Sequence, residues 1–301
     1  MQLFITGATG SVGQAVVPHL LAGGSSVTAL VRRPAAIDGC RVIESSLQEI
    51  DRVAGEIAAC DAIVHLACAR SVNSTEVLQQ DIAGTAGLIE AWRKGPFVYA
   101  SSSTVHGYPL GVLNEQAAIE LWNWYDQGKY ANELQIRLAE HTNGRGGAII
   151  LRPALIFAIN GRRHDRQMLS EIFVQCQLGS RFVFESDDAL ARYGCAFIGG
   201  ADFGRVVAAA LKGNLSGIYN IAGGFCTWRE LIEMFNRFAG TKGDFVVRAD
   251  TQPKSGEYRL AQSRTELDTT AFAQATGFAP QETLGELVEA FVQAERASAP
   301  A

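Results

Sequence analysis

Between residues 121 and 135 the chain reads LWNWYDQGKYANELQ, which sets Tyr125 four positions ahead of Lys129. On a helix, positions i and i+4 share one face, so the two side chains reach a common point. A free phenol, with a pKa of about 10, is a feeble base at neutral pH. A neighbouring ammonium favours the phenolate and lowers that value. Tyr125 can then trade a proton with a substrate oxygen while hydride moves at the adjacent carbon. Taken alone, Tyr-x-x-x-Lys is a weak pattern, and its weight has to come from the surrounding chain.

Upstream, PFVYASSSTVHG reads as a buried strand, Phe97–Ala100, whose end delivers Ser101, Ser102, Ser103 and Thr104. Such a hydroxyl cluster at the carboxyl end of a strand suits hydrogen bonds to a substrate hydroxyl or carbonyl. Earlier still, CDAIVHLACAR reads as a buried strand over Ala62–Leu66 that opens into Ala67 and Cys68. Ligands of open α/β sheets sit at the carboxyl ends of strands, where small residues leave room. Cys68 reads as a small core residue or, less favoured, as a neighbour of the cofactor. A helix is expected over about 74–93 before the serine-bearing strand.

The elements that must hold these groups begin at the first residues. QLFIT is a short apolar strand, GATGSVG a tight turn, QAVVPHLLAGG a helix with Val16, Leu20 and Leu21 on one face, and SSVTALV a second strand. This is the opening strand–helix–strand unit of a doubly wound fold. Gly7 permits the turn, Gly10 lets backbone N–H groups approach a pyrophosphate, and Gly13 lets the helix pack against the strand. Thr9, Ser11 and Val12 share that turn and join the expected cofactor contacts. An NAD site usually ends the second strand with an acid on the adenosine ribose. Here LVRRPAA puts Arg32 and Arg33 at that corner, while Asp38 lies too far along. Paired guanidinium groups suit a 2′-phosphate, so NADP is favoured over NAD.

Composition allows one substantial domain or two fused lobes. The 301 residues are 48% hydrophobic, enough for a substantial core, and carry a net charge of −5 without a basic stripe, which argues against nucleic acid. Six cysteines and five histidines are scattered, so neither a metal site nor a disulfide framework is expected. With no long apolar run and no basic region ahead of the first glycine turn, neither a membrane span nor a signal peptide is expected. A cytoplasmic location follows as the expectation.

In order along the chain, TGATGSVG, DAIVHLA, VYASSSTVHG, YDQGKYANE, LRPALIF, GIYNIAGG and LDTTAFAQATGFAP resemble the motifs of the extended short-chain dehydrogenases/reductases, in their NAD-dependent epimerase/dehydratase branch. The resemblance runs to about residue 290. It implies an α/β, doubly wound Rossmann-type parallel sheet over residues 1–155. Residues 156–301 would mainly form a small C-terminal substrate-binding lobe, with segments around 191–222 returning to the Rossmann core. The family's active-site Ser/Thr stands five residues before the glycine of its V-Y-G motif. With Gly107 as that glycine the match is Ser102, and Ser103 is the fallback. Tyr125 and Lys129 match the catalytic pair, with Lys129 also bonding the nicotinamide ribose, and Glu133 matches an acid one turn later. Leu66 and Ala67 would border the cofactor, and Pro153 and Leu155 would hold its carboxamide. Homodimerisation through the Tyr125 helix and the 74–93 helix is also implied.

The departures narrow the chemistry. Ser103 and Thr104 stand where nucleotide-sugar 4,6-dehydratases carry an Asp-Glu pair, which disfavours elimination of water. Ala154 replaces an asparagine of nucleotide-sugar epimerases, FIGGAD replaces F-I-H-V-D-D, and Arg192 is the nearest candidate for a substrate arginine. Gly128 replaces a frequent serine. His106 replaces the usual tyrosine and reads as a structural imidazole or, less favoured, a substrate contact. NGRRHDR (160–166) reads as a solvated basic loop, and Trp122 and Trp124 as either pocket wall or core. The expected activity is NAD(P)-dependent hydride transfer at an alcohol/ketone carbon. The alternatives are a UDP-sugar 4-epimerase with tightly bound NAD and a non-catalytic dinucleotide sensor, the latter disfavoured by the intact Ser-Tyr-Lys set.

Toward the C-terminus, 165–190 reads as a helix and an extended piece, 202–213 as a helix, and GIYNIAGG as a strand. Thr227 with Glu230, and Thr283 with Glu286, have capping-box spacing. Segments within 155–190 and 223–275 are expected to build the substrate lobe.

Overall fold

The computed structural model describes residues 1–69, 73–107, 110–143, 146–159, 167–184, 186–213, 215–247 and 264–297. NGRRHDR therefore lies outside the described residues. Seven strands form one parallel sheet: β1 (Gln2–Thr6), β2 (Ser26–Val31), β3 (Cys40–Glu44), β4 (Ala62–His65), β5 (Phe97–Ala100), β6 (Ala148–Pro153) and β7 (Gly217–Ile221). Their spatial order is β7-β6-β5-β4-β1-β2-β3. The order reverses next to β1, so a crevice opens where β1 and β4 diverge. Strands β4, β5 and β6 are buried at every position, which is why they read as continuous apolar runs.

The first helix, α1 (Ser11–Ala22), buries Val16, Val17 and Leu20 against the sheet. It packs closely on the helix Gly200–Lys212, where a Cβ on Gly204 would fall 2.3 Å from the His19 ring. The other face carries helical segments Ser74–Glu76, a π-helical stretch Val77–Ile82 and Ala83–Ala91, together with the long helix Trp124–Asn143.

A second sheet gathers distant segments: Gly224–Thr227, Gly194–Gly199, Arg264–Leu267 and Leu110–Leu113 in that order, with Leu155–Phe157 paired to Gly194–Gly199. The strand Gly194–Gly199 joins this sheet, while its Ile198 is buried in the same cluster as Leu3, Val16, Val64 and Val98. Phe203, Val206 and Val207 of the helix Gly200–Lys212 lie in that cluster too, and β7 is an edge strand of the parallel sheet. Around Phe157, Phe173, Phe235 and Phe291 the C-terminal part buries a separate aromatic cluster. Both capping boxes form: Thr227 with Glu230, and Thr283 with Glu286. Among the described residues no helix is long and apolar enough to cross a membrane.

Candidate active site

The turn between β1 and α1 faces a cavity of about 510 Å³ at the carboxyl ends of β1, β2 and β4. Gly7 has φ +76°, and a Cβ there would lie 2.6 Å from Ala67 N. At Gly13 a Cβ would meet Gly7 O at 2.1 Å and Ala8 Cα at 2.6 Å. The first turn of α1 has no acidic residue, and Gly10 at its N-cap supplies no side-chain cap. Its orphan N–H groups and positive dipole end are therefore left for an anion. The residues fit a dinucleotide, and neither Gly7 nor Gly13 has room for a side chain. Gly13→Ala is expected to destabilise the fold by about 1–3 kcal/mol and to abolish thermal stabilisation by a nicotinamide dinucleotide, which a melting series with and without NAD(H) or NADP(H) reads.

Thr9, Ser11, Val12, Leu66, Ala67, Arg32 and Arg33 all line this cavity. Both arginines are exposed, and neither has an ion pair among the described residues. Cys68 lines it too and is half-buried, which corrects its reading as a core residue: the strand ends at His65, three positions earlier. Pro153 and Leu155 are not among the lining residues.

Two lining groups escaped sequence reasoning. Among the described residues Ser45 Oγ and Asp81 Oδ2 are buried without a hydrogen-bond partner, although Asp81 Oδ1 accepts from Ala69 N at 2.7 Å. Buried polar atoms are rarely left unpaired, so each marks a place where a ligand can bond. Burial raises the Asp81 carboxyl's proton affinity, against Lys129 and the Ala69 amide. Beneath the turn, His65 stands between Thr6 Oγ1 at 2.6 Å and Thr85 Oγ1 at 2.9 Å. Burial, seconded by Lys129, lowers its pKa to about 3, so the ring is neutral.

Lys129 is 3% exposed and donates to Ala100 O at 2.6 Å. An ammonium has three donors, so two remain without an acceptor among the described residues. Its Nζ stands 5.0 Å from the Tyr99 ring centroid and 5.6 Å from that of Tyr125. Burial works against its charge, yet Tyr99, Cys68, Tyr125 and Asp81 together raise its pKa above the usual value. Asp81 is the one carboxyl among them. Tyr125 itself is half-buried.

Ser102 is bound to the start of the same helix: its Oγ lies 2.9 Å from Thr104 Oγ1, which donates to Asp126 Oδ1 at 2.6 Å. Ser103, 8% exposed, sits in the adjoining turn. Gly128 owes its identity to packing, since a Cβ would lie 2.8 Å from Val77 Cγ1 and 3.4 Å from Asp81 Oδ2.

Beneath the serines lies a buried ion pair. Arg152 Nε and Nη2 donate to the two oxygens of Glu133 at 3.0 and 2.6 Å, and Ser101 Oγ donates to Glu133 Oε1. His106 is held as the favoured structural imidazole would be, rather than as a substrate contact. It is 2% exposed, its Nδ1 lies 3.0 Å from Ala118 O, and its Nε2 is 3.1 Å from Arg152 Nη1. Arg152 is always a donor, so Nε2 accepts and Nδ1–H donates. Burial, with Arg152 nearby, lowers the His106 pKa. Arg192, exposed at the end of helix Asp187–Arg192, pairs with Asp188 at 2.8 Å and does not line the cavity. Trp122 and Trp124 are 41% and 38% exposed, so neither is core.

A glycine cradle under a doubly wound parallel sheet, with a Tyr-Lys helix beside its crevice, defines the class of Rossmann-type dinucleotide-binding proteins. More narrowly, the chain belongs to the NAD dependent epimerase/dehydratase family, whose sequence model matches residues 3–222. It is 26% identical over 223 residues to a 2-alkyl-3-oxoalkanoate reductase of Shewanella oneidensis, a match covering 68% of this chain and 56% of that protein. A 4-hydroxy-2-methyl-3-oxo-4-farnesyl-3,4-dihydroquinoline-1-oxide ketoreductase of Stigmatella aurantiaca is 27% identical over 186 residues, 57% of this chain and 55% of that protein. The matches thus span little more than half the length of these curated relatives. In fold, the chain is similar to a UDP-glucose 4-epimerase from Thermotoga maritima, with TM-score 0.78, 18% identity and 99% of each chain covered. A dTDP-glucose 4,6-dehydratase from Streptomyces venezuelae gives TM-score 0.81 at 22% identity, covering 99% of this chain and 98% of that one.

Proposed function

We propose that the protein is an NADP(H)-preferring oxidoreductase that interconverts a ketone and an alcohol. The observation that carries this reading is Lys129: a buried ammonium 5.6 Å from the Tyr125 ring, with two donors that no acceptor among the described residues takes. The reductase relatives support a carbonyl substrate. So does the absence of a carboxylate at Ser103 and Thr104, directly after Ser102. Exposed Leu121, Trp122 and Trp124, just before Tyr125, favour a substrate with an apolar portion. Exposed Leu78, Leu134 and Leu138 support a homodimer through their two helices.

A nicotinamide cofactor, when bound, would supply or take the hydride. Tyr125 gives a proton to the substrate oxygen during reduction and takes it back during oxidation. Lys129 favours the phenolate form and holds a cofactor hydroxyl with its spare donors. Ser102 fixes the substrate oxygen, and the glycine turn holds the pyrophosphate on backbone N–H groups. The test is turnover at 340 nm against a panel of 3-oxo acids, their esters and sugar nucleotides with each cofactor. Protein that purifies with NAD in place and changes no absorbance on adding a sugar nucleotide it converts would overturn the net-redox reading.

Arg32→Ala tests the cofactor choice. Loss of a charged hydrogen-bonding group to a 2′-phosphate costs about 1.5–3 kcal/mol, so NADPH affinity should fall about 10- to 150-fold. NADH affinity should stay within about twofold, by fluorescence titration of both.

A further inference from the structure

The hydroxyl chain that starts at Ser102 ends on a carboxyl. Ser102 Oγ is 2.9 Å from Thr104 Oγ1, and Thr104 Oγ1 is 2.6 Å from Asp126 Oδ1. A threonine hydroxyl has one proton. While Thr104 gives it to an ionised Asp126, the contact between the two hydroxyls can only be a hydrogen bond from Ser102 to Thr104. The Thr104 N–H fills another lone pair of Ser102 Oγ at 3.3 Å. The Ser102 proton then points away from any substrate oxygen. With a proton on Asp126 the chain runs the other way. Asp126 donates to Thr104, Thr104 donates to Ser102, and the Ser102 proton is free.

Asp126 is placed for such a role. It is 0% exposed, its Oδ2 accepts the Trp122 N–H at 3.4 Å, and its own N–H donates to Asn123 Oδ1 at 2.9 Å. Burial raises its proton affinity, against the bonds involving Thr104, Trp122 and Asn123. The titratable and charged groups on the elements around it are His106 on the serine-bearing turn and Glu115 and Glu120 on the approach to the helix. Asp81 lies on the neighbouring helix, Arg152 on β6, and Tyr125, Lys129, Tyr130 and Glu133 on its own helix. None forms an ion pair with Asp126 among the described residues. The acid absent from the two positions after Ser102 is supplied instead by the helix.

We propose that Asp126, acting through the Thr104 hydroxyl, sets whether the Ser102 proton is available to the substrate oxygen. This rests on the reading of Ser102 as the group that holds that oxygen. Asp126 and Thr104 are positioning residues. One proton from solvent binds Asp126, the two hydroxyls turn, and no other bond is made or broken. Ketone reduction therefore has an acid-favoured component that fades as Asp126 ionises.

The experiment has two arms. In the first, infrared difference titration follows the protonated-carboxyl band of the protein without substrate. The band should vanish as pH rises, be missing in Asp126→Asn, and move to higher pH in Thr104→Val, by about tenfold in proton affinity, because a donor to the carboxylate is lost. It should move less in Ser102→Ala and stay put in Thr104→Ser. In the second arm, kcat/KM for ethyl 3-oxobutanoate with NADPH should fall about fivefold through that titration, the worth of one hydrogen bond. Thr104→Val should lose this step and Thr104→Ser keep it, whereas a residue that only supports the fold would lower kcat/KM at every pH. A carboxyl titration indifferent to Ser102→Ala, or a pH step that survives Thr104→Val, overturns the proposal. A protein that never reduces the ester counts against the carbonyl-reduction reading instead, and the Ser102→Ala titration still decides the role of Asp126.

Discussion

Replacing Tyr125 with phenylalanine is expected to lower kcat and kcat/KM together by about 10²–10⁴-fold, the usual worth of a positioned proton donor. The two constants fall in step because the proton moves only in the transition state, and the half-buried ring loses one oxygen and no packing. Affinity for the nicotinamide dinucleotide should stay within about twofold, since the Lys129 donors and the glycine turn are untouched. Fluorescence titration of NADPH and steady-state rates on the same preparation separate the two. Retained turnover would remove Tyr125 from the mechanism. A large loss of cofactor affinity would make it a binding residue.

What the sequence reveals of this site follows from how local each signal is. The turn at Gly7, Gly10 and Gly13 is legible because backbone proximity admits no side chain at Gly7 or Gly13. The Tyr125–Lys129 pair is legible because a helix puts i and i+4 together. Asp126 is not, since an acid in the first turn of a helix reads as a partner of the helix dipole. Its burial and its bond to Thr104, in the turn Ser103–His106 some twenty residues earlier, come from tertiary contacts. Asp81 and His65 are hidden in the same way, although an acid in the apolar stretch VLQQDIAGTAG and a histidine inside a buried strand were signals that could have been followed.

In the fold, the parallel sheet follows from short repeated units. The second sheet, by contrast, pairs Leu110–Leu113 with Arg264–Leu267, partners that no local pattern connects. The helix Asp187–Arg192 was also missed, since six residues accumulate little propensity. Its one local mark is the Ser186 hydroxyl, which caps it by accepting the Ala189 N–H at 3.0 Å.

The largest stability effect is expected at Arg152. Both it and Glu133 are about as buried as any side chain in the protein, at 2% and 1% exposure, and they meet through two parallel hydrogen bonds. Removing one partner of such a pair strands the other charge, at a cost of about 3–5 kcal/mol. Arg152→Met should therefore move the urea midpoint sharply down, and against a total stability of about 5–15 kcal/mol some preparations would not fold. The double variant Arg152→Met, Glu133→Leu keeps the prediction testable. With both charges gone it should recover much of the loss, because a buried ion pair and its apolar replacement are often close in stability. A single variant that loses less than about 1 kcal/mol would place the pair with weak surface bridges. The recovery should not extend to catalysis. Glu133 also holds the Ser101 hydroxyl, and Arg152 holds His106, so the pair fixes both ends of the segment that presents Ser102. A double variant as stable as the parent but slower in turnover would show that the charges are kept for the position of that segment rather than for the stability of the fold.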